Sequence, residues 1–343
     1  MKITIHDVAA KAGVSASTVS RVFNKKGSIS PKTTQEVLQI AKDMGYKPRS
    51  YKKAEEASDY KKIALLCSGT HIFTTNVFYS KVVHGVEQII AENGYQLIYK
   101  VLTGSLKKDL AIVDELSEQQ VCGVLFVGYD VDTKLILRTK ENSMPVVLID
   151  NDAVDSHIDS VVNDNINGAR KMVSHLIELG HKNIAFIGGP LEHVSLDERY
   201  IGYKQALKLA AIEKNRDLIT FCTPSFTVED GYEAAKKLLT TKNQTPTAIF
   251  AATDLLAIGA IRAARELGKE VPGDISVVGF DDEETAEHII PALTTVRIHK
   301  HRMGVESGRK LIQMIENASN FPTKTVLFTD LVIRDSAGPY NQK

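Results

Sequence analysis

Over the first 45 residues, apolar positions recur three and four apart, the spacing of one face of a helix. Ile5, Val8, Ala9 and Ala12 make the first such face. Gly13 follows, a residue free to take the positive φ of a tight turn. Ser15 is placed to cap a second helix, with Val19, Val22 and Phe23 inward and Ala16, Ser17, Ser20, Arg21 and Asn24 outside. Ser30-Pro31 opens a third helix that buries Val37, Ile40, Ala41 and Met44 and stops at Gly45. Three short helices with a glycine turn between the first two describe a helix-turn-helix, whose second helix enters the major groove of DNA. A small helical bundle with a solvated face has the same periodicity.

From residue 62 the pattern changes to short apolar runs separated by helical stretches. Strands are expected at 63–67, 97–101, 123–127, 146–149, 184–187, 248–251 and 276–279. Helices are expected at 78–93, ahead of 119, and at 165–179, 197–211 and 254–267. Apolar strands alternating with helices imply parallel sheets covered on both faces. One sheet of this size would be large, so the fold class expected is a three-helix head plus an α/β core of two parallel-sheet subdomains. The domain plan is a helix-turn-helix domain at 1–47, a hinge or linker at 48–61, and a core at 62–336. Within the core, the first subdomain takes about 62–161 and 292–320, and the second about 162–291 and 321–336.

Charge sharpens this division. The 343-residue chain carries 42 Lys and Arg against 42 Asp and Glu. Residues 1–53 hold eleven of the bases, including Lys2, Arg21 and Arg49, and only Asp7, Glu36 and Asp43 as acids. A basic head on an acidic body suits a head that touches phosphates and a body that does not. No run approaches the ~18 apolar residues of a membrane span, and the chain opens on a polar helix signal rather than a secretory leader. Cys67, Cys122 and Cys222 are odd in number and far apart, which argues for packing rather than disulfides or zinc. A cytoplasmic protein with no membrane contact, metal or cofactor is expected.

The residues of the head are more specific than their periodicity. Ile5-x-Asp7-Val8-Ala9-x-x-Ala12-Gly13-Val14-Ser15-x-x-Thr18-Val19-Ser20-Arg21-x-x-Asn24, with Gly45-Tyr46-x-Pro48 after it, closely resembles the N-terminus of the lactose-repressor (LacI/GalR) family. The resemblance implies a bacterial transcriptional regulator, double-stranded operator DNA of pseudo-palindromic sequence as partner, a homodimer, and a core like the type I periplasmic-binding proteins. It places Lys2, Ser15, Ala16, Ser17, Ser20, Arg21 and Asn24 on DNA, with Arg21 able to fork onto guanine or phosphate, while the charge of Arg49, Lys52 and Lys53 suits them to hold phosphates from the linker. Family members wedge a leucine from the hinge into the minor groove. Here that position is Glu55, which phosphates and base edges would repel, so kinking of that type is not expected.

In open α/β sheets, ligands bind beyond the carboxyl ends of strands. Asp150, Asp254 and Asp281 each follow a strand in this way. Singly, each is readable as a helix N-cap, Asp254 above all; together they suggest a site. No phosphate loop, zinc motif or nucleophile elbow accompanies them, so an enzyme is not expected. Carboxylates suit sugar hydroxyls, and an aromatic suits the C–H face of the ring. By resemblance, Ser195 and Arg199 are effector-site donors and Phe226 the stacking aromatic, while Phe78 and Tyr79 line the opposite wall. Arg199 is also readable as a surface partner of Asp197 or Glu198, and Phe226 as core. Ile298 stands where relatives carry a glutamine, and His181 is expected to cap a helix end. The resulting expectation is a repressor of sugar-utilisation genes released by a small sugar. The alternative is a regulator whose DNA binding is promoted by a corepressor, either a small ligand or a phosphorylated carrier protein.

Overall fold

A computed structural model describes residues 3–23, 29–44, 46, 61–68, 77–152, 157–223, 225–241, 245–317 and 321–340. The chain divides into two compact units, Met1–Lys61 and Lys62–Lys343.

The first unit holds α1 (Ile5–Ala12), α2 (Ala16–Phe23) and α3 (Pro31–Asp43). Asp7 accepts from both the Thr4 N–H and the Thr4 hydroxyl at 2.7 Å, which fixes the start of α1. Those bonds hold the Asp7 carboxyl below its usual range. Gly13 turns the chain at φ +64°. Ser15 and Ser30 cap the next two helices, their Oγ atoms accepting from Thr18 N–H and Thr33 N–H at 3.1 Å. Val8, Ala9, Val19, Val22, Val37 and Ala41 form a core of this unit alone, and Phe23 meets Tyr46 edge-on. The linker expected at 48–61, with Glu55, lies outside the described residues except for Lys61.

The second unit is built on two parallel sheets. Its strands are β1 (Lys62–Ser68), β2 (Gln96–Leu102), β3 (Gly123–Val127), β4 (Val146–Ile149), β5 (Asp159–Asn163), β6 (Ile184–Gly188), β7 (Ile219–Phe221), β8 (Ala248–Ala251), β9 (Ser276–Val278), β10 (Thr295–Arg297), β11 (Lys324–Leu327) and β12 (Asp330–Val332). The first sheet runs β11-β5-β4-β3-β1-β2 and the second β7-β6-β8-β9. Antiparallel β10 and β12 pair with each other. The helices are α4 (Val77–Glu92), α5 (Leu106–Glu118), α6 (Thr133–Glu141), α7 (Asn165–Glu178), α8 (Val194–Leu209), α9 (Val228–Thr240), α10 (Asp254–Glu266), α11 (Glu284–His288) and α12 (Lys300–Glu316).

Alternation along β1 sends Ile63, Leu65 and Cys67 toward α4 and α12, and Ala64 and Leu66 toward α5 and α6. Helices α4 and α12 pack almost backbone to backbone. A Cβ on Gly85 would lie 2.1 Å from the His301 carbonyl, and one on Gly304 would lie 1.9 Å from that of Val82. In the second sheet α7 packs on α8 and α9 on α10. Three features depart from the sequence reading. Elements β5, β7, β10, β11, β12, α6, α9, α11 and α12 were not separately expected. Strand β11 joins β5 in the first sheet, so residues 324–327 are not part of the second subdomain and the final crossing follows 327, not 321. The boundary near 161 also moves, because β5 stays in the first sheet to Asn163. Polar residues in β5 and the exposed flank of β11 hid both strands.

His181 is more than a cap. Its ring is buried between the hydroxyls of Thr247 and Ser276, each 3.0 Å away, and the Gly338 carbonyl at 3.1 Å. Burial lowers its pKa, with the Gly338 carbonyl opposing. The folded state therefore resists a proton that the unfolded chain takes up below pH about 6.5. Thermal midpoints of the parent should fall as pH drops through that range, and those of His181→Gln should fall less steeply. At neutral pH the variant should be less stable by roughly 1–3 kcal/mol, the cost of stranding buried hydroxyls.

Candidate functional site

In the head, α2 leaves Ser17 and Arg21 exposed and Ser20 half-buried. Ser15 is exposed, but its hydroxyl is occupied by the Thr18 N–H and the Thr18 hydroxyl. Ala16 departs from expectation: it is half-buried and packs on the core of the head, because the first turn of α2 leans on its neighbours. The outward face of α2 thus reduces to Ser17, Ser20 and Arg21. Lys2, Asn24 and Arg49 lie outside the described residues.

In the core, the strand ends of the two sheets meet side chains from both. Asp150 follows β4 in a left-handed conformation, φ +56°, with its N–H on the Val161 carbonyl. Its carboxylate accepts from the Tyr79 hydroxyl of α4 and the Ser195 hydroxyl of α8, both at 3.0 Å. Tyr79 packs with the first sheet and Ser195 opens a helix over the second, so this carboxylate bridges the two. Burial and then Asp150 push the Tyr79 phenol well above its ordinary pKa, keeping it a donor.

Arg199, one turn after Ser195, is buried. Its Nη2 pairs with Asp281 Oδ1 at 2.9 Å, and Nε donates to Asn165 Oδ1 at 3.1 Å. Nη1 donates to the Ala252 carbonyl at 2.6 Å, and the guanidinium stacks 3.9 Å from the Phe280 ring centre. The surface pairing with Asp197 or Glu198 is thereby replaced by a buried one. Burial raises the pKa of Asp281, the charges of Arg199 and Lys300 pull it back down, and Asp150 adds to the rise.

Asp254 is a correction. It is fully buried, and its carboxylate accepts from the Glu283 N–H at 2.7 Å and from the Thr295 hydroxyl. It ties the loop after β9 to β10 and offers a ligand nothing. Nor is it the helix cap, since Thr253 Oγ1 accepts from Leu256 N–H instead. Phe78 also differs. Its ring is half-buried, edge-on to Tyr79 and 5.4 Å from the Lys300 ammonium. Ile298 is buried in the core. Phe226 is half-buried and meets His193 edge-on, and His193 stacks on Tyr129 at 4.0 Å.

The site therefore brings together Tyr79, Asp150, Ser195, Arg199 and Asp281, with Phe226 on an aromatic wall. Sequence reasoning missed Tyr129, His193, Asn165 and Lys300. Tyr129 follows β3 and answers to the same strand-end rule that found Asp150. Lys300 carried no signal. It is buried at the start of α12, donates to the carbonyls of Asp281 and Asp282, and pairs with Glu283 at 3.2 Å. Among the described residues, no group of three or more His, Cys, Asp or Glu is placed to hold a metal. No helix among them is long and apolar enough to cross a membrane.

Because every nitrogen of Arg199 is engaged, Arg199→Ala should strip a buried carboxylate of its partner and cost about 3–5 kcal/mol. Denaturant unfolding measures this. The deficit should shrink as pH falls and Asp281 takes up a proton.

Residues 4–49 match the bacterial regulatory proteins of the lacI family, and residues 173–337 match a periplasmic binding protein-like domain. The HTH-type transcriptional regulator DegA of Bacillus subtilis (strain 168) is 35% identical over 344 residues, spanning 99% of this chain and 100% of DegA. A CelR–cellobiose complex superposes with a TM-score of 0.74 at 33% identity, covering 98% of this chain and 100% of that one. A lac repressor dimer bound to operator and the anti-inducer ONPF gives 0.73 at 27% identity, with the same coverage. The chain belongs to the LacI family of bacterial transcription regulators, DNA-binding proteins rather than enzymes.

Proposed function

We propose that the protein is a repressor of sugar-utilisation genes, gripping a pseudo-palindromic operator as a homodimer and releasing it when a small sugar enters the core. The observation that carries the second half is the Tyr79–Asp150–Ser195 bridge. A carboxylate already receiving two hydroxyls from opposite sides is the partner a sugar hydroxyl needs. The wall of Tyr129, His193 and Phe226 suits the C–H face of a ring. CelR, a relative with this fold, is known as a cellobiose complex.

The electrostatics favour an uncharged sugar over a phosphorylated one. Asp150 and Asp281 are carboxylates, and the one guanidinium beside them is already neutralised by Asp281. Release requires that the sugar bind one arrangement of the core more tightly than the other. A hundredfold change in operator affinity takes about 2.7 kcal/mol of such preference.

On the DNA side, Arg21 carries the reading, as the one cation on the outward face of α2. Operators selected from randomised pseudo-palindromes should be bound roughly ten- to hundredfold more weakly by Arg21→Ala, the worth of a forked arginine contact. Unchanged affinity would remove α2 as the recognition helix. Thermal shifts across sugars and their phosphates test the effector. A ligand at a hundred times its dissociation constant adds about 2.7 kcal/mol, and unphosphorylated sugars should dominate the hits. Adding the hit to the operator complex should release DNA; tighter binding would establish corepression instead.

A further inference from the structure

Asn163 ends β5, and its side chain is 2% exposed. Neither its amide nitrogen nor its amide oxygen has a hydrogen-bond partner among the described residues. Unpaired buried amides are costly and rare. One in which both donor and acceptor stand idle is rarer still. A position that served only packing would carry an aliphatic residue, as Val161 does two residues earlier on the same face of the strand.

Its place in the fold explains the exception. Val161 pairs with Ile149 in β4, so Asn163 lies two residues past the end of that pairing, at the carboxyl edge of the sheet. Asp150 follows Ile149 at that edge, and Tyr79 belongs to the same packed face as Val161 and Ile149. From Asn163 the chain passes directly into α7, where Asn165 holds Arg199. The idle amide thus belongs to the strand end at which the chain leaves the first sheet for the helix that holds Arg199.

We infer that Asn163 is a specificity-determining contact of the cleft, reading two neighbouring hydroxyls of the effector, an inference that rests on the sugar reading above. One hydroxyl donates to Oδ1 and the adjacent one accepts from Nδ2, a pairing that a vicinal diol offers at the right spacing. A ligand lacking either hydroxyl leaves half of the amide unpaired, the situation in which polar sites discriminate most strongly.

The test uses the full chain and two variants, Asn163→Leu, of similar volume, and Asn163→Ala. Thermal midpoints are measured without ligand, then with ribose, glucose, galactose and cellobiose, and with adenine and guanine as base-edge probes. Without ligand, Asn163→Leu should melt at or above the parent, because it removes an unpaired amide. With a sugar that stabilises the parent, both variants should bind roughly ten- to hundredfold more weakly. Lower midpoints in both ligand-free variants would give Asn163 a structural partner and overturn the inference. A sugar response undiminished in the folded variants would overturn it too, while leaving the sugar reading standing. A parent that answers only to the bases, or to none of the probes, would overturn the sugar reading and this inference with it.

Discussion

A buried guanidinium organises the carboxyl end of the second sheet. Arg199 reaches from α8 to the end of β8 through the Ala252 carbonyl, to the end of β9 through Asp281, and to the start of α7 through Asn165. Phe280 packs flat against it. Four segments that lie far apart in sequence are held in register by one side chain. A buried charge is tolerated only when its partners are fixed. The polar geometry around Arg199 is therefore stiff, and neighbouring groups orient against it.

The stiffness passes on through the loop after β9. Asp281 and Asp282 both hold positive φ, at +115° and +49°, a conformation non-glycine residues adopt only under constraint. The constraint comes from several directions. Lys300 of α12 donates to both carbonyls, and Asp254 accepts from the next N–H, that of Glu283. Arg297 and Arg334 hold the Asp282 carboxylate at 2.6 and 2.8 Å, keeping it below its usual pKa despite burial. Lys300 belongs to the helix that packs on α4, next to Tyr79. The loop that presents Asp281 to Arg199 is thus pinned by elements of both sheets.

The sequence disclosed most where the deciding contacts were local. The head keeps its capping bonds within three residues and its core within 46, so Gly13, Ser15 and Ser30 could be read from spacing alone. In the larger unit, strands made of unbroken apolar runs were legible, whereas β5, with Asp159, Ser160 and Asn163, and the three-residue β7 were not. The strand-end rule located Asp150, Asp254 and Asp281 alike, yet could not say which partners each carboxylate takes. That depends on Thr295, 41 residues beyond Asp254, and on Ser195, 45 beyond Asp150. Periodicity carries no record of partners so distant. Lys300 shows the same limit: its burial is decided by Glu283 and two backbone carbonyls across the crossover.

The energetics of the cleft divide its groups into fixed and exchangeable ones. Separating Arg199 from Asp281 would cost about 3–5 kcal/mol, more than an effector needs to deliver. The hydroxyls of Tyr79 and Ser195 are different, since each donates to Asp150 a hydrogen bond of a kind that another hydroxyl can also make. Exchange of that kind is nearly balanced. The surplus or deficit of one hydrogen bond to a charged group, about 1.5–3 kcal/mol, matches the 1–3 kcal/mol over which most coupled sites operate. Because Tyr79 and Ser195 come from elements packed on different sheets, a ligand that takes the place of one and keeps the other alters the bond between the two halves of the core. A ligand touching one half alone would bind with no such preference. The Tyr79–Asp150–Ser195 bridge is therefore the bond between the two halves of the core that costs least to exchange.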